Sequence, residues 1–460
     1  RLMALSPGHP IRILAVSAFC AFALASLLGR AGIWFVNFSS LNRLYSTRLT
    51  RAYLGASNPK RGYQSDKGKQ GKRDWNMSEV VADDDIPYRN YRPDKKGGPI
   101  HIISATVNET VSHRSNTEKR DRKGFGFGLG PAGVMASTTD FVLFDNKEGA
   151  SAPAGYSPML RRKSNGTGGD GAAEDDVAIQ MMTLGDWIGI SGAAVSTGDG
   201  ARTNLGTSFL LGFFNIRLGY WWDSGSKSWV DDKAFQFKKP IFRLEPVVSA
   251  LFPAQSALIS EYLAQFYGPE RQRWYLTDGG HFENTAVYEL IRRKIRLILC
   301  CDCGGDAAYE FEDVGNLVRK ARIDFGAEIE FLKTSDVAGT GLVDRIGSIA
   351  DLVPLDVAGV KCAAKQIALA KVRYSDGSVG VLVIVKPSLF ADCPVDIQNY
   401  AASNLSFPQQ STLEQFFDEA QWESHRKLGE SISLRFFGAK RDKANAVLAE
   451  LLALGQVAPV

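Results

Sequence analysis

Trp274-Tyr-Leu-Thr-Asp-Gly-Gly-His-Phe-Glu-Asn-Thr-Ala-Val-Tyr-Glu-Leu-Ile-Arg-Arg293 is the stretch from which the fold is read. Trp274, Tyr275 and Leu276 favour a strand. Asp278-Gly279-Gly280 is a turn, because glycines tolerate dihedrals that other side chains forbid. From Asn284 the apolar period changes: Val287, Leu290 and Ile291 share a helical face. Arg292, Arg293 and Lys294 close the last turn, where cations suit the helix dipole. Ile295 to Cys301 then reads as a second strand, apolar apart from Arg296, running into Asp302-Cys-Gly-Gly-Asp306. Strand, turn, helix, strand predicts a βαβ unit of an open α/β sheet. Such sheets gather their sites beyond the carboxyl ends of the strands. Asp278, held on a Gly-Gly turn at such an edge, is therefore a candidate for chemistry.

The 460 residues have room for two or three domains. Hydrophobic content of 45% and charged content of 23% are those of an ordinary globular protein, and the net charge of +4 gives no case for nucleic acid. The six cysteines, Cys20, Cys300, Cys301, Cys303, Cys362 and Cys393, are too sparse for a disulfide framework. Cys-Cys-Asp-Cys at 300–303 lacks a second ligand pair at zinc spacing, so no metal site is expected. Asp83-Asp84-Asp85 reads as a solvated turn rather than a cation site. Asn-x-Ser/Thr sequons start at Asn37, Asn76, Asn108, Asn165 and Asn404, and mean little without a secretory context.

Ile13 to Gly29 carries no charge and lies between Arg12 and Arg30; Ala31 to Val36 extends its apolar character. It reads as a transmembrane helix, with a signal peptide or a core helix as the other readings. Arg30, Arg43, Arg48 and Arg51 follow, and positive flanks place the main domain in the cytoplasm. Leu41 to Ala56 mixes leucines with arginines, as an amphipathic helix at a membrane or an ordinary surface helix would. The expected layout is a transmembrane segment over 1–36, a juxtamembrane helix and basic loop over 37–98, an α/β domain over 99–335, and an α+β extension over 336–460.

Pro99 to Val111 is expected to be a strand that includes His101. Gly124-Phe-Gly-Phe-Gly-Leu-Gly130 lacks the helix that a phosphate loop would need. Trp187-Ile-Gly-Ile190 looks strand-like and leads into Ser191-Gly-Ala-Ala194. Gly189-Ile-Ser-Gly-Ala193 misses the Gly-x-Ser-x-Gly nucleophile elbow at its last position, so close packing by small residues is the better reading of Ser191. Ala201 to Trp222 is apolar with Arg217 inside it, and reads as a buried or membrane-facing helix with Trp221 and Trp222 at an interface. Lys371 to Tyr374 and Val379 to Val385 form a hairpin about Asp376-Gly377. Helices are expected over Phe311–Ile323, Thr412–Leu428 and Lys440–Leu454.

Ile190-Ser-Gly-Ala-Ala194 followed by Thr277-Asp-Gly-Gly-His-Phe-Glu-Asn284 resembles the second half of the patatin-like lipid acyl hydrolases, in their large bacterial membrane-anchored branch, which is similar to the cytosolic phospholipase group. Leu54-Gly-Ala-Ser-Asn-Pro59, Val107-Asn-Glu-Thr110 and Phe416-Phe-Asp-Glu-Ala-Gln421 resemble that branch too. The resemblance implies a patatin-like open sheet with flanking helices, second half only. It implies a Ser-Asp dyad without histidine, no cofactor, and a phospholipid or other lipid ester at a membrane as substrate. Asp278 is then the catalytic carboxylate. Gly279 and Gly280 hold its turn, and Glu283 and Asn284 fix the turn and cap the helix. The family's serine lies in a Gly-x-Ser-x-Gly that these residues do not contain. With Arg1 in first place, the chain is expected to be a fragment that supplies the aspartate but not the nucleophile. Three readings stay open. The first is a membrane-associated lipid acyl hydrolase. The second is a non-catalytic membrane-bound scaffold or binding module. The third pairs Ser191 with Asp278 within this chain, or adds His281 as a third member. Oligomeric state is not readable.

Overall fold

The computed structural model describes residues 10–28, 32–58, 81, 83–111, 121–136, 140–143, 157–158, 182–224, 252–357, 360–411, 414 and 417–455. The chain divides into two compact units, Arg1–Phe282 and Glu283–Val460.

The first unit is built on a seven-stranded sheet, in the order β5-β4-β3-β2-β1-β7-β6. Its strands are β1 (Ile103–Asn108), β2 (Gly124–Gly130), β3 (Gly133–Ala136), β4 (Asp140–Leu143), β5 (Ser157–Pro158), β6 (Tyr220–Asp223) and β7 (Arg273–Asp278). All pairs are antiparallel except β4 with β5. The glycine-rich run is β2 itself. Its helices are α1 (Pro10–Leu28), α2 (Ile33–Phe38), α3 (Asn42–Ala52), α4 (Leu184–Ser191), α5 (Leu205–Phe213) and α6 (Pro253–Tyr262). The core is aromatic. Phe127 stacks on Trp187 at 5.8 Å, and Trp222 lies edge-on to Phe127 at 5.4 Å and to Trp274 at 5.3 Å. Quadrupole-matched geometries of this kind add to the gain from burying these rings.

The second unit carries a four-stranded sheet in the order β8-β13-β12-β9. It holds α7 (Val287–Arg292), β8 (Leu297–Cys301), α8 (Glu312–Phe325), β9 (Glu328–Phe331), a small ribbon of β10 (Leu355–Val357) and β11 (Val360–Cys362), β12 (Ile367–Arg373), β13 (Val379–Val385), α9 (Val395–Ser403), α10 (Glu419–Phe437) and α11 (Arg441–Leu454). β12 and β13 form the expected hairpin, with Gly377 at φ 85°. Cys300 is buried, whereas Cys301 and Cys303 are exposed.

The open α/β sheet is overturned. β7 and β8 belong to different sheets. β7 already has antiparallel partners on both edges, β1 at Ala105↔Asp278 and β6 at Tyr220↔Leu276, so no edge is left for β8. β8 instead lies parallel to β13. The architecture is mixed helix and sheet, and Asp278 ends a strand between antiparallel neighbours rather than at a row of parallel carboxyl ends.

The transmembrane helix is overturned as well. Among the described residues no helix is long and apolar enough to cross a membrane. α1 has 19 residues. The apolar run after Arg30 does not prolong it. It forms the separate six-residue α2, which buries Val36 and Asn37 in the first unit. The cytoplasmic assignment rested on the flanks of that span and falls with it.

Candidate functional site

The Asp278 turn is fixed by its neighbours. The Asp278 side chain caps the single helical turn that follows, with Oδ1 accepting from the Gly280 amide at 2.7 Å. Neither Gly279 nor Gly280 adopts a left-handed backbone. The glycine at 279 answers a shortage of space instead, since a Cβ there would stand 3.1 Å from the Ser104 carbonyl oxygen on β1. The fully buried Asn108 of β1 donates to the Thr277 hydroxyl at 2.9 Å and accepts from the Gly200 amide at 3.1 Å. This places two of the sequon asparagines, Asn37 and Asn108, inside the protein.

His281 fastens the turn to the segment between α4 and α5. Its Nδ1 lies 2.9 Å from Thr277 Oγ1, and its Nε2 lies 3.0 Å from the Ala194 carbonyl and 3.1 Å from Asp199 Oδ1. Thr277 Oγ1 already accepts from Asn108, which leaves its proton for Nδ1. Nε2 then carries the hydrogen that faces Ala194 and Asp199. Both ring nitrogens are used, so His281 positions the turn and is not a free base. Gly200, at φ 48°, completes the seam: a Cβ there would come within 2.2 Å of the His281 carbonyl oxygen.

Ser191 ends α4, a helix and not the strand its Trp-Ile-Gly-Ile run suggests. Thr183 and Asp186 form a reciprocal capping box at its start. The strand-to-helix elbow is therefore absent. The close packing expected here is made by Gly185 and Gly189, where a Cβ would stand 2.1 Å from Thr50 Oγ1 and 2.5 Å from Ser46 Cβ of α3. The Ser191 hydroxyl donates to the Ser104 carbonyl at 2.6 Å. Ser191 and Gly279 thus meet at one peptide of β1, but the proton a nucleophile would hand to its base is held by a backbone oxygen.

Asp278 is half-buried. Burial raises its carboxyl above the usual value, the Gly280 amide and His281 draw it down, and Asp199 pushes it up. Among the described residues its only side-chain hydrogen bond is the one through Oδ1 from Gly280, so Oδ2 takes none from them. It also makes no ion pair with an arginine among them. Tyr45 of α3 belongs to the same neighbourhood. Its hydroxyl would be 2.8 Å from a Cβ at Gly192, and its own ionisation is raised by burial and then by the Asp278 charge. Asp199 and Tyr45 were missed by the sequence reading, which held Asn108 and Thr277 only inside longer stretches and gave them no role. Only Asn108 carried a signal, as a polar residue at an inward position of a strand.

Asn284 belongs to the second unit, where its Nδ2 donates to Asp313 Oδ2 at 2.8 Å. Glu283 does the work at the start of α7, accepting from the amides of Thr285 at 2.7 Å and Tyr288 at 3.2 Å. The second polar loop, at 302–306, is pinned by buried Lys386, whose Nζ lies 3.1 Å from both Asp302 Oδ2 and the Gly304 carbonyl. Among the described residues no group of three or more His, Cys, Asp or Glu side chains is placed to hold a metal ion. Asp84 of the acidic triplet is instead buried, accepting from Asn58 at 2.8 Å and the Val81 amide at 2.7 Å. No protein-family model, no curated protein and no solved structure matches this chain.

Proposed function

We propose that this chain is part of a lipid acyl hydrolase of the patatin-like kind and contributes the catalytic carboxylate, Asp278, but not the nucleophile. The observation that carries this reading is the state of Asp278. It is half-buried and raised, with one oxygen anchored by Gly280 and the other taking no hydrogen bond from the described residues. An aspartate of ordinary value, ~3.9, is a weak base near neutrality, and raising it brings it closer to the range where it can accept a seryl proton. In the reaction Asp278 takes the hydroxyl proton as the seryl oxygen attacks the ester carbonyl. It returns that proton to the departing alcohol, and water then releases the acyl group by the same exchange.

A second reading, a non-catalytic scaffold or binding module, fits equally a Ser191 whose proton is committed to the Ser104 carbonyl. One experiment separates the two. Hydrolysis of a lysophospholipid by the natural gene product should fall about 10³-fold in Asp278→Asn, the scale of a lost general base. Ser191→Ala should leave it unchanged. Equal rates in wild type and Asp278→Asn reject the base, absence of hydrolysis in wild type supports the scaffold, and loss in Ser191→Ala moves the nucleophile into this chain.

A further inference from the structure

Four helices of the first unit are inside out. α2 buries Val36 and Asn37, the latter's side chain exchanging two hydrogen bonds with the Trp221 backbone, and exposes Trp34, Phe35 and Phe38. α3 buries Asn42, Ser46 and Thr50, while Leu41, Leu44 and Arg48 form an outward stripe at helical spacing. α5 buries Ser208 and Gly212 and exposes Phe209, Leu210 and Phe213. α6 buries Pro253, Ala257 and Glu261 and exposes Ile259. Trp34 is 62% exposed and Phe213 65%.

The helices adjoin one another. Phe209 contacts the Tyr262 ring of α6 at 6.1 Å, and Gly212 lies beneath that ring. Just past α5, Asn215 donates to the Ser39 carbonyl at 2.7 Å and Arg217 to the Val36 carbonyl at 2.9 Å, which ties this corner to the end of α2. These nine large apolar side chains, each 40% to 65% exposed, amount to on the order of 1,000 Å², beyond the few hundred Å² usual for a patch on a soluble monomer.

We infer that this face is a lipid-docking surface, seated in the headgroup and acyl boundary of an anionic bilayer. Three observations favour lipid over a protein partner. The helices meet through small residues and side-chain hydrogen bonds, the way helices pack where apolar burial between them brings no gain. α2 and α5 carry no charged side chain, whereas protein interfaces interleave polar groups and rim apolar cores with them. Arg48 on α3 is exposed beside the apolar stripe, as is Arg43, which pairs with Asp186 at 3.2 Å, and long cations so placed reach anionic headgroups.

This surface does not depend on the hydrolase reading, and its test reads no hydrolysis. The full chain is sedimented with phosphatidylcholine vesicles and with vesicles containing about one third phosphatidylglycerol. The wild type should partition onto the anionic vesicles. The Trp34→Ser/Phe213→Ser double variant should partition at least about tenfold more weakly. Both substituted side chains are exposed, so an unchanged melting temperature certifies the fold. Arg48→Glu should weaken binding to anionic vesicles and leave the neutral ones unaffected. The inference is overturned if the wild type ignores both vesicles, or if the double variant binds as tightly as wild type, which would leave α1 or another segment as the anchor. It is also overturned if the variant converts a dimer to a monomer with no change in vesicle binding, which would make the face a contact between copies.

Discussion

The two units use their helices in opposite ways. In the second, α8 turns Val314, Leu317 and Ala321 inward, and α10 turns Leu428, Ile432 and Phe436 inward, at the spacings of an apolar stripe. In the first, α3, α5 and α6 turn Ser46, Ser208 and Glu261 inward and leave Leu44, Phe209 and Ile259 outside. Hydrophobic burial holds the helices of the second unit. In the first, α3, α5 and α6 are held by close contact of small residues and by a buried polar network, while α4 alone turns Leu184, Trp187 and Ile190 into the apolar core with Trp222 and Trp274. Sequence periodicity alone does not distinguish the two cases, because it shows that a face is apolar and not which way the face points.

The largest effect should come from breaking the polar network. Arg217 and Glu261 are both about 1% exposed and pair at 3.1 Å. Glu261 also accepts from Trp221 Nε1 at 2.9 Å and the Thr197 hydroxyl at 3.0 Å. Burial raises the Glu261 carboxyl, and Arg217 with these donors pulls it back. Glu261→Ala strands the arginine in the interior and should cost about 3–5 kcal/mol in urea denaturation. A loss under about 1 kcal/mol would mean that the network does not hold the inverted layer.

A smaller effect sharpens the contrast directly. Leu428→Ala removes a buried side chain from α10 and should cost about 3 kcal/mol. Phe209→Ser removes a larger apolar group from α5 and should change stability by no more than about 0.5 kcal/mol, because its ring is already half in water. Comparable costs for the two would show that the face of α5 is covered within the protein.

Much of the second unit was legible. The alternation of Lys371 to Val385 around Asp376-Gly377 and the amphipathic period of α8 are local signals, and local signals sufficed. The first unit failed where the deciding fact was nonlocal. β7 and β8 looked like partners because they are neighbours in sequence, but pairing was settled by β1 and β6, which lie about 170 and 55 residues from β7 along the chain. α4 was misread although Thr183-x-x-Asp186 announced its capping box, since Ile and Trp weighed toward a strand. The alternation of Gly124 to Gly130 is that of a strand, β2, which the sequence reading weighed only as a phosphate loop. Of the candidate site, Asp278 and its turn were visible as Asp-Gly-Gly. The roles of Asn108, Asp199 and Tyr45 depend on contacts across the fold that no spacing encodes.

Asp278 gives the most direct test. Its folded carboxyl is raised, so the folded protein holds that proton more tightly than the unfolded chain does. The contribution of this group to stability is full below the ordinary value of 3.8 and is lost as the pH climbs through the raised folded value. Asp278→Asn stays neutral throughout. The melting temperature of the variant should therefore exceed that of wild type at pH 7, and the gap should close as the pH falls below 3.8. A variant no more stable than wild type at pH 7, or a gap that widens in acid, would mean that Asp278 is an ordinary or stabilised carboxylate and not a base held ready.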